Sequence, residues 1–235
     1  MWATRGKKKD YVETPERGTF WRATFLDLDT RLRVARGLGK TEGEAAQEGF
    51  ETLKRRGHPQ TPPPIVSDGR GELPQALVEV YGQVPPYGGR GRPPTRKCPG
   101  EGWKYLEIVK RRQGGRVVRT TKRVVYGALQ EVLALFGEST AYVERTHLTS
   151  RLFNGRLVRK TLGFSKCLPL HRAAAGWEDA VYNLVRPLKT LRQEASGEGV
   201  RRWLPRTPAM AAGVTDHIWT VKELVTTLPI PSTNT

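Results

Sequence analysis

Two carboxylates stand where phosphodiester chemistry could use them. Asp68 closes the short apolar run Ile65-Val66-Ser67, with Gly69 directly behind it. A carboxylate in that position can emerge at a sheet edge and bind a divalent cation, while the glycine lets the chain turn away; an aspartate that merely initiates a turn gives the same pattern. Glu144 sits in Ala141-Tyr142-Val143-Glu144-Arg145 at the start of a helical stretch, where an exposed helix glutamate is the ordinary alternative. Its surroundings add weight. Residues 145–166 carry six basic residues (Arg145, Arg151, Arg156, Arg159, Lys160 and Lys166) and no acid. Metal ions held by such acids polarise a scissile phosphate while arginines and lysines fix the strand, so a lone acid beside a polybasic helix fits that reaction class.

Between the two acids, residues 90–123 hold twelve basic residues against only Glu101 and Glu107. A solvated face is the usual meaning of a charge run, but this excess is too one-sided for that default. Within it, Gly89-Arg90-Gly91-Arg92-Pro93-Pro94 is similar to the core of an AT-hook, an extended Arg-Gly-Arg-Pro that lies in a narrow minor groove; a Pro/Gly loop with incidental arginines is at least as good a reading. His58, His147, His171 and His217 have no metal-ligand spacing with one another or with Cys98 and Cys167, so all six read as structural or surface residues.

These residues need elements to position them. Residues 20–26 and 31–36, separated by Asp27-Leu28-Asp29-Thr30, predict an antiparallel hairpin. Gly39 closes it. Thr41 with Glu44 forms a capping box for a helix whose apolar face is Ala45, Ala46, Phe50 and Leu53 and which ends at Gly57-His58-Pro59. A proline-rich lead brings the chain into the strand that stops at Asp68, and residues 73–81 have helical spacing. Residues 82–102, dense in Gly, Pro and Arg, predict a surface loop. Runs at 105–109 and 117–126 predict a second hairpin around Gln113-Gly114-Gly115; helices are expected over 128–136, 139–155 and 170–193. Residues 194–202 read as a linker, and the tail carries a short helix around 221–226, with Met210 and its alanines a helix or turn element. The order is that of a mixed α/β layout around one sheet.

With 235 residues, 37% of them hydrophobic, the chain is long enough for a substantial core and is not a disordered tail. The 40 Lys and Arg against 23 Asp and Glu give a net charge of +17, which points to a polyanionic partner. No run has the ~18 apolar residues of a membrane span, and the opening residues, with three lysines at 7–9, do not read as a secretory leader. Two isolated cysteines suit a reducing compartment rather than a disulfide scaffold.

Taken together, the motifs resemble the DDE transposases of bacterial insertion sequences, specifically the insertion-sequence-one family. The resemblance rests first on Val143-Glu144-Arg145, then Arg151, Arg156-Leu157, Arg159-Lys160-Thr161-Leu162 and Phe164-Ser165-Lys166. Trp21 through Asp27 to Gly39 is similar to the family's hairpin and glycine, and Ser67-Asp68-Gly69 to its Thr-Asp-Gly. Tyr182-Asn183 with Arg186-Pro187 resembles a signature that many insertion-sequence transposases share. The likeness runs from Trp2 to about Leu191, with the basic stretch between Asp68 and Glu144 as an expansion.

What the resemblance implies is a ribonuclease-H-like fold, a mixed sheet flanked by helices, with a helical C-terminal part. Three carboxylates in that family hold two metal ions, normally Mg²⁺, for DNA strand cleavage and transfer. Asp68 matches the second acid and Glu144 the third, as catalytic and metal-binding residues; Arg90, Arg92, Arg145, Arg151, Arg156, Arg159, Lys160 and Lys166 are the expected DNA-binding set. The family's first acid, in an Asp-Glu pair ahead of a tryptophan matched by Trp2, would fall two positions before Met1, and the family's N-terminal DNA reader has no counterpart. Asp27 and Asp29 belong to the hairpin turn and Asp10 lies past the strand, so none replaces it. The expectation is therefore a catalytic region over residues 1–193 with its first strand truncated and a basic insertion at about 82–126, followed by a linker and tail over 194–235. Such a chain would bind transposon ends and target DNA in the bacterial cytoplasm, at the nucleoid and away from membranes, with an incomplete metal site and no activity; self-association on DNA stays open. The alternatives are a non-catalytic remnant that competes for transposon DNA and, on charge alone, an unrelated RNA-binding protein.

Overall fold

Why the first hairpin forms is visible in its turn. The Asp27 side chain accepts hydrogen bonds from the backbone N–H groups of Asp29 and Thr30, both at 2.8 Å, and Arg31 takes the left-handed conformation (φ 62°) that brings the chain round. In a computed structural model, which describes residues 16–69, 71–89, 91–135, 141–158, 163, 165–195 and 202–227, with the side chains of 141–144 excepted, β1 (Trp21–Leu26) pairs antiparallel with β2 (Arg33–Gly39). Helix α1 (Glu42–Arg56) follows. The Thr41 hydroxyl accepts from the Glu44 N–H at 3.1 Å, and the Glu44 carboxylate reaches back to the Lys40 N–H at 2.9 Å. Ala45, Ala46, Phe50 and Leu53 are buried, as the helical spacing requires.

Helix α1 crosses β2 at backbone distance. A Cβ on Gly37 would lie 1.9 Å from the Ala45 carbonyl oxygen and 2.4 Å from the Gly49 nitrogen, and one on Gly49 would strike the Phe25 ring. Because the obstacle at Gly37 is helix backbone, it cannot rotate away. Gly37→Ala is expected to lower the unfolding free energy by about 1–3 kcal/mol in chemical denaturation, by forcing the helix off the hairpin.

The chain then enters β3 (Ile65–Asp68), α2 (Glu72–Tyr81), and a loop pinched by the Gln83–Cys98 bridge. Strands β4 (Tyr105–Gln113) and β5 (Arg116–Tyr126) form a long ribbon turned by Gly114 and Gly115. β3 runs parallel to β4 and β5 antiparallel to it, a mixed sheet of order β3-β4-β5. Sheets and helices together make an α/β architecture, but the expected single sheet is not formed among the described residues: the β1–β2 hairpin and β3-β4-β5 share no strand-to-strand hydrogen bonds and are joined through the packing of α1. Alternation along β4 separates two cores. Tyr105 faces the cluster of Phe50, Leu53, Ala76, Leu77, Tyr81 and Trp103, whereas Leu106 and Ile108 pack with Val132 of α3 (Leu129–Leu135). Glu107, also fully buried, is compensated by the Arg123 guanidinium across the ribbon.

The C-terminal part is helical: α4 (Ala141–Phe153), a 3₁₀ turn at Gly155–Leu157, and α5 (Leu168–Ala180), which continues as a π-helical turn over Val181–Val185. The helix stops there instead of reaching 193. Pro187 excludes Arg186 from helical backbone, and Arg186 is extended (φ −96°, ψ 109°). At the edges of the expected linker, β6 (Gln193–Glu194) pairs antiparallel with β7 (Trp203–Leu204); residues 196–201 between them lie outside the described residues. The tail helices α6 (Pro208–Ala211) and α7 (Val221–Thr227) fold back on the π turn, with the Trp219 N–H donating to the Leu184 carbonyl. Among the described residues no helix is long and apolar enough to cross a membrane.

Candidate functional site

Among the described residues strand β1 is paired only with β2, and β3 only with β4, so each keeps one edge without a described strand neighbour. Both strands line one cleft of about 1490 Å³, floored by Ala45, Ala46, Phe50 and Leu53 of α1. Asp68 stands at the carboxyl end of β3 on the wall of this cleft, with its side chain exposed. In open α/β sheets ligands collect outside the carboxyl ends of the strands, which is where Asp68 lies. Beside it, the Ser67 hydroxyl donates to the Asp68 carbonyl at 2.9 Å and meets the Tyr105 hydroxyl at 2.8 Å, leaving Tyr105 as the donor in that contact. Burial, aided by the negative charges of Glu107 and Asp68, pushes the Tyr105 phenol well above its ordinary value, so it stays protonated in that role.

Helix α4 provides another wall, through His147, Ser150 and Arg151. Position 144 is three residues ahead of His147 and seven ahead of Arg151, one and two helical turns along the same face. The Glu144 side chain itself lies outside the described residues, and so does the question of whether it meets Asp68. Arg156 joins Arg151 on the cleft. Arg145, Arg92 and Lys166 are exposed, Arg145 on α4, Arg92 in the loop after α2 and Lys166 just before α5. Arg90, Arg159 and Lys160 lie outside the described residues.

Asp27 and Asp29 also border the cleft, but Asp27 is committed to its turn. Among the described residues no three His, Cys, Asp or Glu side chains gather as metal donors. Asp68 is a candidate ligand, and the side chain of the other candidate, Glu144, lies outside the described residues. Of the six histidines and cysteines, His58, His147 and His171 border the cleft and His217 is exposed between Asp216 and Glu223. Cys98 is exposed and Cys167 half-buried, both reduced.

His171 is different. It is 2% exposed, and neither ring nitrogen has a hydrogen-bond partner among the described residues. Burial first, then the charges of Arg22 and Arg156, lower its pKa against the opposing pull of Glu178, which keeps the imidazole neutral.

What the sequence reading missed is an ionic cluster under the cleft. Glu178 and Asp179 of α5 accept from Arg22 at 2.8 and 2.5 Å, from Arg33 at 2.6 and 2.9 Å, and Asp179 also from Arg36 at 2.9 Å. Arg33, with 1% of its side chain exposed, also donates to Ser150 at 2.9 Å and lies 4.0 Å from the Tyr182 ring centre. Asn154 of the turn after α4 donates to Glu178 at 3.2 Å. The cluster ties the hairpin to α4 and α5, and therefore sets the walls of the cleft. The Tyr182-Asn183 motif works inside it. The Asn183 amide accepts from the Arg33 N–H at 3.0 Å and donates to the Arg33 carbonyl at 3.1 Å, holding the start of β2 as a neighbouring strand would. Arg186 of the companion motif stacks on Phe153 at 4.3 Å. An acidic pair late in one helix and arginines on an early hairpin gave no local signal of this pairing.

Comparison of the chain with family models, with curated proteins and with solved structures yields no match.

Proposed function

We propose that this chain is the DNA-binding catalytic region of an insertion-sequence transposase of ribonuclease-H-like type, similar to the insertion-sequence-one family. One observation carries the reading. Asp68, at the carboxyl end of a strand in a parallel pair, shares a cleft with α4, which bears position 144 and Arg151, and with Arg156 of the turn that follows α4. The chain order of antiparallel hairpin, helix, parallel pair and following helices supports the same reading.

Asp68 and Glu144 would be the chain's ligands for Mg²⁺, which when bound supplies charge neutralisation at a phosphodiester and activation of its attacking oxygen. The chain's own cations do the rest. Arg151 and Arg156 pair with backbone phosphates and fix the strand in register against the cleft, a role that needs no metal. A second reading is a protein that occupies transposon DNA without cutting it.

The test is duplex binding by fluorescence anisotropy, followed by a nicking assay with Mg²⁺. Absence of duplex affinity at low salt overturns both readings. Nicking that disappears in Asp68→Asn and Glu144→Gln selects the enzyme, and binding without nicking selects the occupying protein. Since phosphate contacts carry the affinity, adding EDTA is expected to leave the duplex Kd unchanged within about twofold.

A further inference from the structure

We propose that the outer half of the β4–β5 hairpin is an arm that enters the major groove of duplex DNA. The proposal rests on the DNA-binding reading and names the element that reads the duplex. β3 pairs with β4 only as far as Asp68 opposite Ile108, so from Val109 outward β4 and β5 form a ribbon with no third strand among the described residues. From Arg111 to Lys122 every residue is exposed. The basic bias begins at the same place. At the root, Arg123 is paired with buried Glu107; beyond it come Arg111, Arg112, Arg116, Arg119 and Lys122, and the chain has no acid between Ile108 and Gln130.

The register makes this costly without a partner. Arg111 stands directly opposite Arg119, and like charges in cross-strand pairs repel. An anion lying along the ribbon removes that repulsion, and a row of phosphates supplies it. The shape also fits. The five to six residues of each outer strand span roughly 17–20 Å, at about 4.8 Å between strands. A major groove about 12 Å wide and 8.5 Å deep admits a two-stranded ribbon. Its tip is slim because Gly114 (φ 57°) and Gly115 (φ 81°) turn the chain with no side chains to clash with base edges. Val117 and Val118, both exposed, offer apolar contact of the kind thymine methyl groups accept.

The experiment compares wild type with the variant Arg111→Gln, Arg112→Gln, Arg116→Gln, Arg119→Gln, and with Arg116→Glu alone as the milder probe should the fourfold variant unfold. Duplex DNA and A-form duplex RNA are titrated over a salt series, and guanine N7 methylation by dimethyl sulfate reports the major groove. Wild type is expected to protect guanine N7. The fourfold variant is expected to lose that protection, to bind ~100-fold more weakly at 50 mM salt, and to lower the log–log salt slope by about 3 to 4. Wild-type affinity, slope and N7 protection in the folded variants would overturn the arm while leaving DNA binding intact. Tighter binding to duplex RNA would overturn it as well, since an A-form major groove is too narrow for the ribbon. No duplex binding by wild type would overturn the underlying reading itself.

Discussion

Replacing Arg33 by alanine is expected to cost about 3–5 kcal/mol of unfolding free energy, the range found when one partner of a buried ion pair is removed. Glu178 and Asp179 would remain under the cleft with Arg22 and Arg36 alone, and Ser150 would lose its donor. Arg33→Lys should recover only part of the loss, because one ammonium cannot meet two carboxylates and a hydroxyl in the plane of the guanidinium fork. Urea or guanidinium titrations read both. The same cluster sets an acid limit. Burial alone would raise the Glu178 pKa, but the charge of Arg22, the Ser150 hydroxyl and the charge and hydrogen bond of Arg33 outweigh it and bring it down to about 2 from 4.5. A carboxylate whose folded pKa is depressed adds stability that is complete above the unfolded value. That stability is lost as pH falls from about 4.5 towards 2. Wild type should therefore lose unfolding free energy steeply across that window. Glu178→Gln, less stable at neutral pH, should show a flatter acid limb. Equal slopes for the two proteins would remove Glu178 as the cause.

Duplex affinity is expected to fall steeply with salt. Each phosphate neutralised contributes a log–log slope of about −0.9, so six to ten contacts lose about 10³- to 10⁵-fold between 50 and 200 mM. The cations of the ribbon and those of α4 and the following turn are proposed to hold one duplex, which puts the contact number in that range. Arg151→Ala and Arg156→Ala should each reduce the slope by about 0.9 and weaken binding to all sequences alike, since phosphate contacts position without reading bases. Both residues are exposed, so the denaturation midpoint should stay put. A flat salt dependence would contradict a phosphate-driven interface and return the basic runs to the status of solvated faces.

How far the amino-acid order alone reached depends on the range of the forces involved. The Thr41–Glu44 cap, the Asp27 turn, the apolar stripe of α1 and the end of β3 at Asp68 all depend on residues within four positions of one another, and each lies where its spacing placed it. The basic bias of 90–123 and 145–166 is likewise a property of composition. Length was less legible. β4 and β5 extend to Gln113 and from Arg116 because cross-strand hydrogen bonds carry a lysine- and arginine-rich segment that propensity would leave as loop. Helix α5 yields at Pro187 even though apolar spacing continues past it. Only the tertiary structure decided which charges are buried. Arg22, Arg33 and Arg36 look like solvent-facing alternation on a hairpin, and Glu178-Asp179 like an exposed turn of helix, until the fold brings residues some 150 positions apart into contact. Only it made Asp68 part of a cleft, by placing residues of β1, β3 and α4 on the walls of one space among the described residues. Burial and juxtaposition come from packing between distant elements, which no local window of residues contains.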